Sequence, residues 1–194
     1  MAGPNFQSNV FTNQFVPDAT GRALVSTESN KYTYKAGAVA KTFYNTAAAV
    51  LCEIQGSATM TVRVKFIRIW GQVATTANFA ELTLLRCTTV GGGTPAAITG
   101  RPLDTNDVAA TAVVNVYTGA STQGTGHLLV GAQIMYCSAA GVTAPAATVF
   151  DFCRNNDKPL ILRGTSDWLE VYNNSTSVGT GTFGFEIEWE EDNS

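Results

Sequence analysis

The residues with the most chemical potential in this chain stand near its carboxyl end, where Glu186, Glu188 and Glu190 recur at every second position. On an extended backbone this spacing puts three carboxylates on one face, at intervals of about 7 Å. Two carboxylates at such a separation resemble a glycosidase acid–base pair in distance alone. The residues between them argue for something plainer. Phe183, Phe185, Ile187 and Trp189 alternate with the glutamates and form an apolar opposite face. Only a β-strand separates two sets so completely. A continuous acidic stripe of this kind is a face that sees water, or one that meets basic side chains.

The other candidates are scattered. His127, the only histidine, lies between a glycine-rich loop and Leu128, and is expected at the exposed start of a strand rather than as a general base. Cys52, Cys87, Cys137 and Cys153 are widely spaced, form no CxxC pair, and each sits within or beside an apolar run. They read as buried free thiols, with disulfides as the alternative. Asp104, Asn106 and Asp107 lack the spacing of a calcium loop and read as a turn closed by side-chain-to-backbone bonds. Gly91, Gly92 and Gly93 precede neither a Gly-Lys-Ser/Thr sequence nor a helix, so a hairpin loop is preferred over a phosphate cradle. A serine-hydrolase elbow is missing. The expectation is therefore a protein that is not an enzyme, with no catalytic, cofactor-binding or metal-ligating residue. Among the tryptophans, Trp189 belongs to the core by its alternation, whereas Trp168 follows a Gly-Thr-Ser-Asp turn and is a candidate for an exposed rim where a sugar stacks.

The elements that would position these residues are strands. Runs at residues 23–26, 31–35, 47–55, 61–70, 79–89, 110–118, 127–137, 146–153, 158–163, 168–172 and 183–190 carry β-type composition or alternation, and 36–44 is ambiguous. Residues 158–163 and 168–172 read as a hairpin across the turn at 164–167. In 61–70, Val62, Val64 and Phe66 share one parity while Ile67 and Ile69 take the other. That break predicts a β-bulge, or burial on both faces. The first 20 residues are polar, with isolated Phe6, Phe11 and Phe15, and read as an extended arm that either frays or docks on a neighbouring subunit. The predicted fold is all-β: a single two-sheet antiparallel sandwich over 21–194, jelly-roll-like, with an immunoglobulin-like sandwich second.

Composition narrows the function classes. Of 194 residues 45% are hydrophobic and only 14% charged, against roughly 25% charged in an average globular protein. Such a surface suits coverage by neighbouring subunits. The net charge is −3 and the 12 lysines and arginines form no run, which argues against nucleic-acid binding. No apolar run approaches a membrane span, and the amino end has no signal-peptide pattern. The expectation is a protein made and kept in the cytoplasm, or assembled there into something larger.

Three stretches carry a resemblance: Pro102-Leu-Asp-Thr-Asn-Asp-Val-Ala-Ala-Thr-Ala-Val-Val-Asn-Val-Tyr-Thr, Lys158-Pro-Leu-Ile-Leu-Arg-Gly-Thr-Ser-Asp-Trp-Leu, and the ending Phe185-Glu-Ile-Glu-Trp-Glu-Glu. With them the chain, over residues 61–191, resembles small β-sandwich structural proteins of tailed-bacteriophage virions, of the capsid decoration or cement type. The resemblance implies a virion component on the capsid surface. Its partners would be the major capsid protein and further copies of itself, as a homotrimer. It implies no functional residue set. The acidic stripe would then face basic residues of the shell, or keep the outer surface soluble. The alternative role is a tail or head-fibre component that binds host glycan through the loops near Gly91 or Trp168.

Overall fold

The computed structural model describes residues 16–17, 23–24, 31–43, 48–74, 76–139, 146–154, 158–175 and 179–192. The chain divides into two units, Met1–Lys31 and Tyr32–Ser194. In the first, β1 (Val16–Pro17) pairs antiparallel with β2 (Ala23–Leu24). The arm expected over residues 1–20 otherwise lies outside the described residues.

The second unit is all-β. Its strands are β3 (Tyr32–Thr42), β4 (Ala49–Gln55), β5 (Thr61–Val73), β6 (Asn78–Cys87), β7 (Ala96–Ile98), β8 (Arg101–Pro102), β9 (Val113–Val116), β10 (Leu128–Ala139), β11 (Thr148–Asp151), β12 (Leu160–Leu162), β13 (Trp168–Asn173) and β14 (Gly181–Asp192). They form one continuous hydrogen-bonded path in the order β7-β9-β4-β13-β6-β10-β5-β14-β3-β8, with β11 and β12 also on β5. All pairings are antiparallel except β10 with β5, which run parallel from Cys137–Gly71 to Ala139–Val73. The sheet curls so that distant strands share one core. Leu51 and Ile54 of β4 and Val114 of β9 join Tyr34 of β3 and Ile187 and Trp189 of β14 in a single buried cluster.

β14 lies between β5 and β3 and pairs with both over most of its length. Its alternation is as expected: Phe183, Phe185, Ile187 and Trp189 are at most 1% exposed. Both neighbours carry an extra residue against it. Phe185 and Phe183 of β14 pair with Ala38 and Lys41 of β3, so two residues, Val39 and Ala40, oppose the lone Gly184. Ala40 takes a φ of 53°, the left-handed region that such bulges use. This bulge is the reason residues 36–44 read ambiguously.

On β5 the extra residue is Lys65, since Glu188 pairs with Phe66 and Trp189 with Val64. The Lys65 carbonyl accepts the Phe152 N–H at 2.9 Å, where β5 exchanges β12 for β11 as its neighbour. The parity break is thus a bulge, and it moves Phe66 off the core face. Val62, Val64, Ile67 and Ile69 are fully buried, while Phe66 lies half-buried on the outer side beneath Lys35 and Arg68.

The hairpin read across residues 164–167 does not form. β12 pairs with β5, and β13 inserts between β4 and β6. The turn instead docks on the end of β4: Gly56 donates to the Asp167 carbonyl and Gly164 to the Ser57 carbonyl. A strand as apolar as Trp168-Leu-Glu-Val-Tyr needs partners on both edges and cover on both faces, which a two-strand hairpin does not supply. Every strand ladder among the described residues lies in one of these two units, and no helix there is long and apolar enough to cross a membrane.

Candidate functional site

The acidic stripe finds its basic partners within the chain. Lys35 of β3 reaches Glu186 at 2.6 Å and Glu188 at 3.5 Å, and Lys65 of β5 reaches Glu188 at 3.2 Å and Glu190 at 3.5 Å. Arg68 adds a longer contact to Glu186 at 3.9 Å. The glutamates therefore sit in a cross-strand ion-pair ladder over β3, β14 and β5, which accounts for the stripe without any partner from outside. Gly184, on the same face, makes room for Trp70: an added Cβ would lie 2.4 Å from the indole.

Other candidates take the quieter of their readings. His127 is exposed immediately before β10. The four cysteines are free thiols, three buried and Cys153 half-buried. Asp104 accepts the Asn106 N–H at 2.9 Å in a side-chain-closed turn. Trp189 is core, stacked on Tyr34 with centroids 5.7 Å apart. Trp168 is a correction. It is 7% exposed and packs with Leu85, Cys87 and Tyr172 on the outer side of β13 and β6, so it presents no stacking platform.

Sequence reading missed three fully buried carboxyls. Glu53 of β4 and Glu170 of β13 are directly opposed partners in register, and both have 0% exposure. Opposed residues on one face have Cβ atoms about 5 Å apart. Two loops close over them. Gly91 donates its N–H to Glu53 Oε2 at 3.1 Å, and Gly124 donates to Glu170 Oε1 at 3.1 Å. The loops are themselves joined by a two-way bridge between Gly92 and Thr122. Gly91 of the glycine triplet thus binds a carboxyl, but one belonging to its own chain.

Asn115 Nδ2 lies 2.7 Å from Glu53 Oε1, and the Tyr117 hydroxyl lies 2.8 Å from the same oxygen and 2.9 Å from the Gly91 carbonyl. One phenolic proton cannot serve two acceptors. A neutral Glu53 satisfies the set by donating to Tyr117 Oη, which then donates to Gly91. Burial pushes the Glu53 carboxyl up in the same sense. Burial, with Glu53 opposite, pushes Glu170 up to about 7, and burial with Glu170 alongside pushes the Cys87 thiol up to about 12. A Cβ on Gly124 would stand 2.7 Å from Glu170 Oε1, so the pair is sealed by backbone rather than open to a substrate.

The third carboxyl, Glu191, is also 0% exposed. It accepts the N–H groups of Thr111 and Ala112, the Thr111 hydroxyl and the Trp189 indole N–H at 2.9 Å. It fixes the loop before β9 to the end of β14. The available signal was a single carboxylate inside an apolar run, as in Val-Leu-Cys-Glu53-Ile and Trp-Leu-Glu170-Val, because an isolated buried charge must find donors.

Among the described residues, one exposed face is largely apolar. β10 pairs with β6 through a register shift at Val130. The extra residue puts Leu129 on the same outer face as Ala132, Ile134 and Tyr136, which oppose Leu85, Thr83, Glu81 and Phe79 of β6. Leu129, Ile134 and Tyr136 are 59%, 69% and 41% exposed, and Phe79 is 61% exposed. Phe79 and Tyr136 touch with centroids 5.4 Å apart. Beside them Phe79, Glu81, Ala132, Gln133, Ile134 and Ser175 line an open depression of about 290 Å³. Across the seam to β11, Gln133 donates to the Val149 carbonyl, and Val149 is again exposed.

The chain matches no protein-family model, and a search of curated proteins finds no match.

Proposed function

We propose that this protein is a non-enzymatic structural subunit of a tailed-bacteriophage virion, acting as a capsid decoration or cement protein. The single observation that carries a binding role is the apolar outer face of β6, β10 and β11, held out to solvent by a domain whose buried carboxyls are occupied with its own loops. The three stretches quoted above supply the virion context. In this reading β4, β13 and β6 oppose β5, β14 and β3 across the core as the two layers of a jelly-roll-like sandwich. The subunit binds the assembled shell in preference to loose capsid protein, bridges neighbouring capsid subunits, and so stabilises the shell by linkage. It does so as a closed homo-oligomer, a trimer about a symmetry axis.

Quantitative mass spectrometry of purified particles tests this reading. A copy number comparable to the major capsid protein is expected. A few copies per particle would move the protein to the tail or a fibre, and absence from particles would end the virion reading. The glycan-binding alternative loses its aromatic anchor with Trp168 buried. Binding on a glycan array by the isolated protein would revive it.

A further inference from the structure

We infer that the outer face of β6, β10 and β11 is the surface on which a second copy of this chain docks. This deepens the reading of the protein as an oligomeric subunit and rests on that part of it, not on the identity of the shell or on the trimer: one face meeting the same face is an isologous, two-fold contact, distinct from the contact that closes a three-fold ring.

Area comes first. Phe79, Leu129, Ile134, Tyr136 and Val149 are between 37% and 69% exposed. With full side-chain areas of roughly 150–250 Å² for large residues, they offer on the order of 500 Å² of mainly apolar surface. That is at the upper end for a monomer that hides its patches. With the adjoining exposed Ala132, Gln133 and Glu81 it approaches the ~800 Å² per partner of a standard interface.

Charge comes second. On the outer rows of these strands, among the described residues, the exposed charged side chains are Glu81 and Asp151. Glu81, opposite Ile134, is the one acid inside the face, with Asp151 at its β11 end and the exposed Arg68 of β5 opposite Val149. So sparse a set of charges gives a strongly charged partner little to recognise and leaves apolar contact, which a second copy supplies, as the main attraction.

Shape comes third. The rows are carried on a paired sheet, so they are fixed in spacing before any partner arrives. Two such faces stack about 10 Å apart, as in any sheet-on-sheet contact. The depression beside Ile134 and Phe79 is a hole for an apolar knob from the other copy, and the exposed Ile134 or Leu129 is such a knob.

The test is the oligomeric state of the full chain by sedimentation velocity and native mass spectrometry, from 1 to 100 µM by order of magnitude, a range suited to interfaces of this size. The wild type is expected to be oligomeric. Ile134→Glu places a second carboxylate opposite Glu81 and is expected to weaken self-association at least 100-fold. Phe79→Glu should act likewise. Val39→Glu, on the equally exposed bulge of β3, should leave the oligomer intact. All three sites are exposed, and coincident circular dichroism melts would show that each variant folds. A monomeric wild type overturns the inference, as does an oligomer that survives both Ile134→Glu and Phe79→Glu. Loss of shell binding by Ile134→Glu with a monomeric wild type would assign the face to capsid protein and also overturn it. The particle copy number reads the virion role separately: an oligomer absent from particles sinks that role and leaves this face standing.

Discussion

Glu170 and Glu53 show how single residues were diverted from chemistry to architecture. A carboxyl with a proton affinity near neutrality invites a catalytic reading, yet here the groups that shift it also close it off. The shift has a thermodynamic consequence of definite sign. Glu170 titrates at about 7 in the fold and at the ordinary 4.5 once exposed. Between those values the folded chain holds more protons, so this contribution to stability is full below 4.5, declines as pH rises, and is gone above about 7. At about 1.4 kcal/mol per unit the decline amounts to roughly 3 kcal/mol. Urea unfolding between pH 4.5 and 7.5 should show it, and Glu170→Gln, which keeps an acceptor for Gly124, should flatten much of the slope. An unchanged slope would show that Glu170 ionises freely in the fold. Glu191 makes the complementary case. Replacing it with alanine leaves the Thr111, Ala112 and Trp189 N–H groups without their buried acceptor, and a loss of ~3 kcal/mol or more is expected in the same assay. Glu191→Gln, which retains one carbonyl oxygen, should lose less.

Among the elements, β14 organises the unit and its two bulged neighbours decide which side chains it meets. The Lys65 bulge reverses a simple expectation from residue size. Phe66 is larger than Ile67, but it lies on the outer face, whereas Ile67 is fully buried against Ile187. Ile67→Ala should therefore cost about 2–5 kcal/mol, as buried truncations do, and Phe66→Ala distinctly less. Equal losses would place Phe66 back in the core. The ion-pair ladder on the same face contributes order more than energy. Its lysines are about a third exposed, and exposed pairs are worth roughly 0.2–1 kcal/mol each.

At the scale of the whole molecule, the unit Tyr32–Ser194 encloses one core, to which strands from both ends of the sheet contribute. A chain starting at residue 31 should thus fold with a single cooperative melt and the far-ultraviolet spectrum of a β-protein. If residues 1–20 act as an arm, as their isolated phenylalanines suggest, removing them should, in the virion reading proposed above, weaken binding to shells while leaving the protein folded. Loss of cooperative folding would show instead that the first unit completes the core.

The sequence alone determined the all-β character, most strand positions, the inward row of β14 and the existence of a parity break in β5. These are period-two signals carried by each strand's own residues. The tertiary structure decided the rest, because each remaining question depended on partners distant in the chain. Whether Trp168 was rim or core depended on Leu85 and Cys87 of β6 packing against it. Whether residues 158–172 made a hairpin depended on β4, β5 and β6 competing for those strands. Whether Glu53 and Glu170 were surface charges or buried acids depended on the register that set them face to face. The apolar row of β10 was plain in its composition, but only the pairing with β6, shifted at Val130, gathered Leu129, Ile134 and Tyr136 onto one exposed face. A side chain's parity is local, whereas what covers it is fixed by the path of the whole sheet.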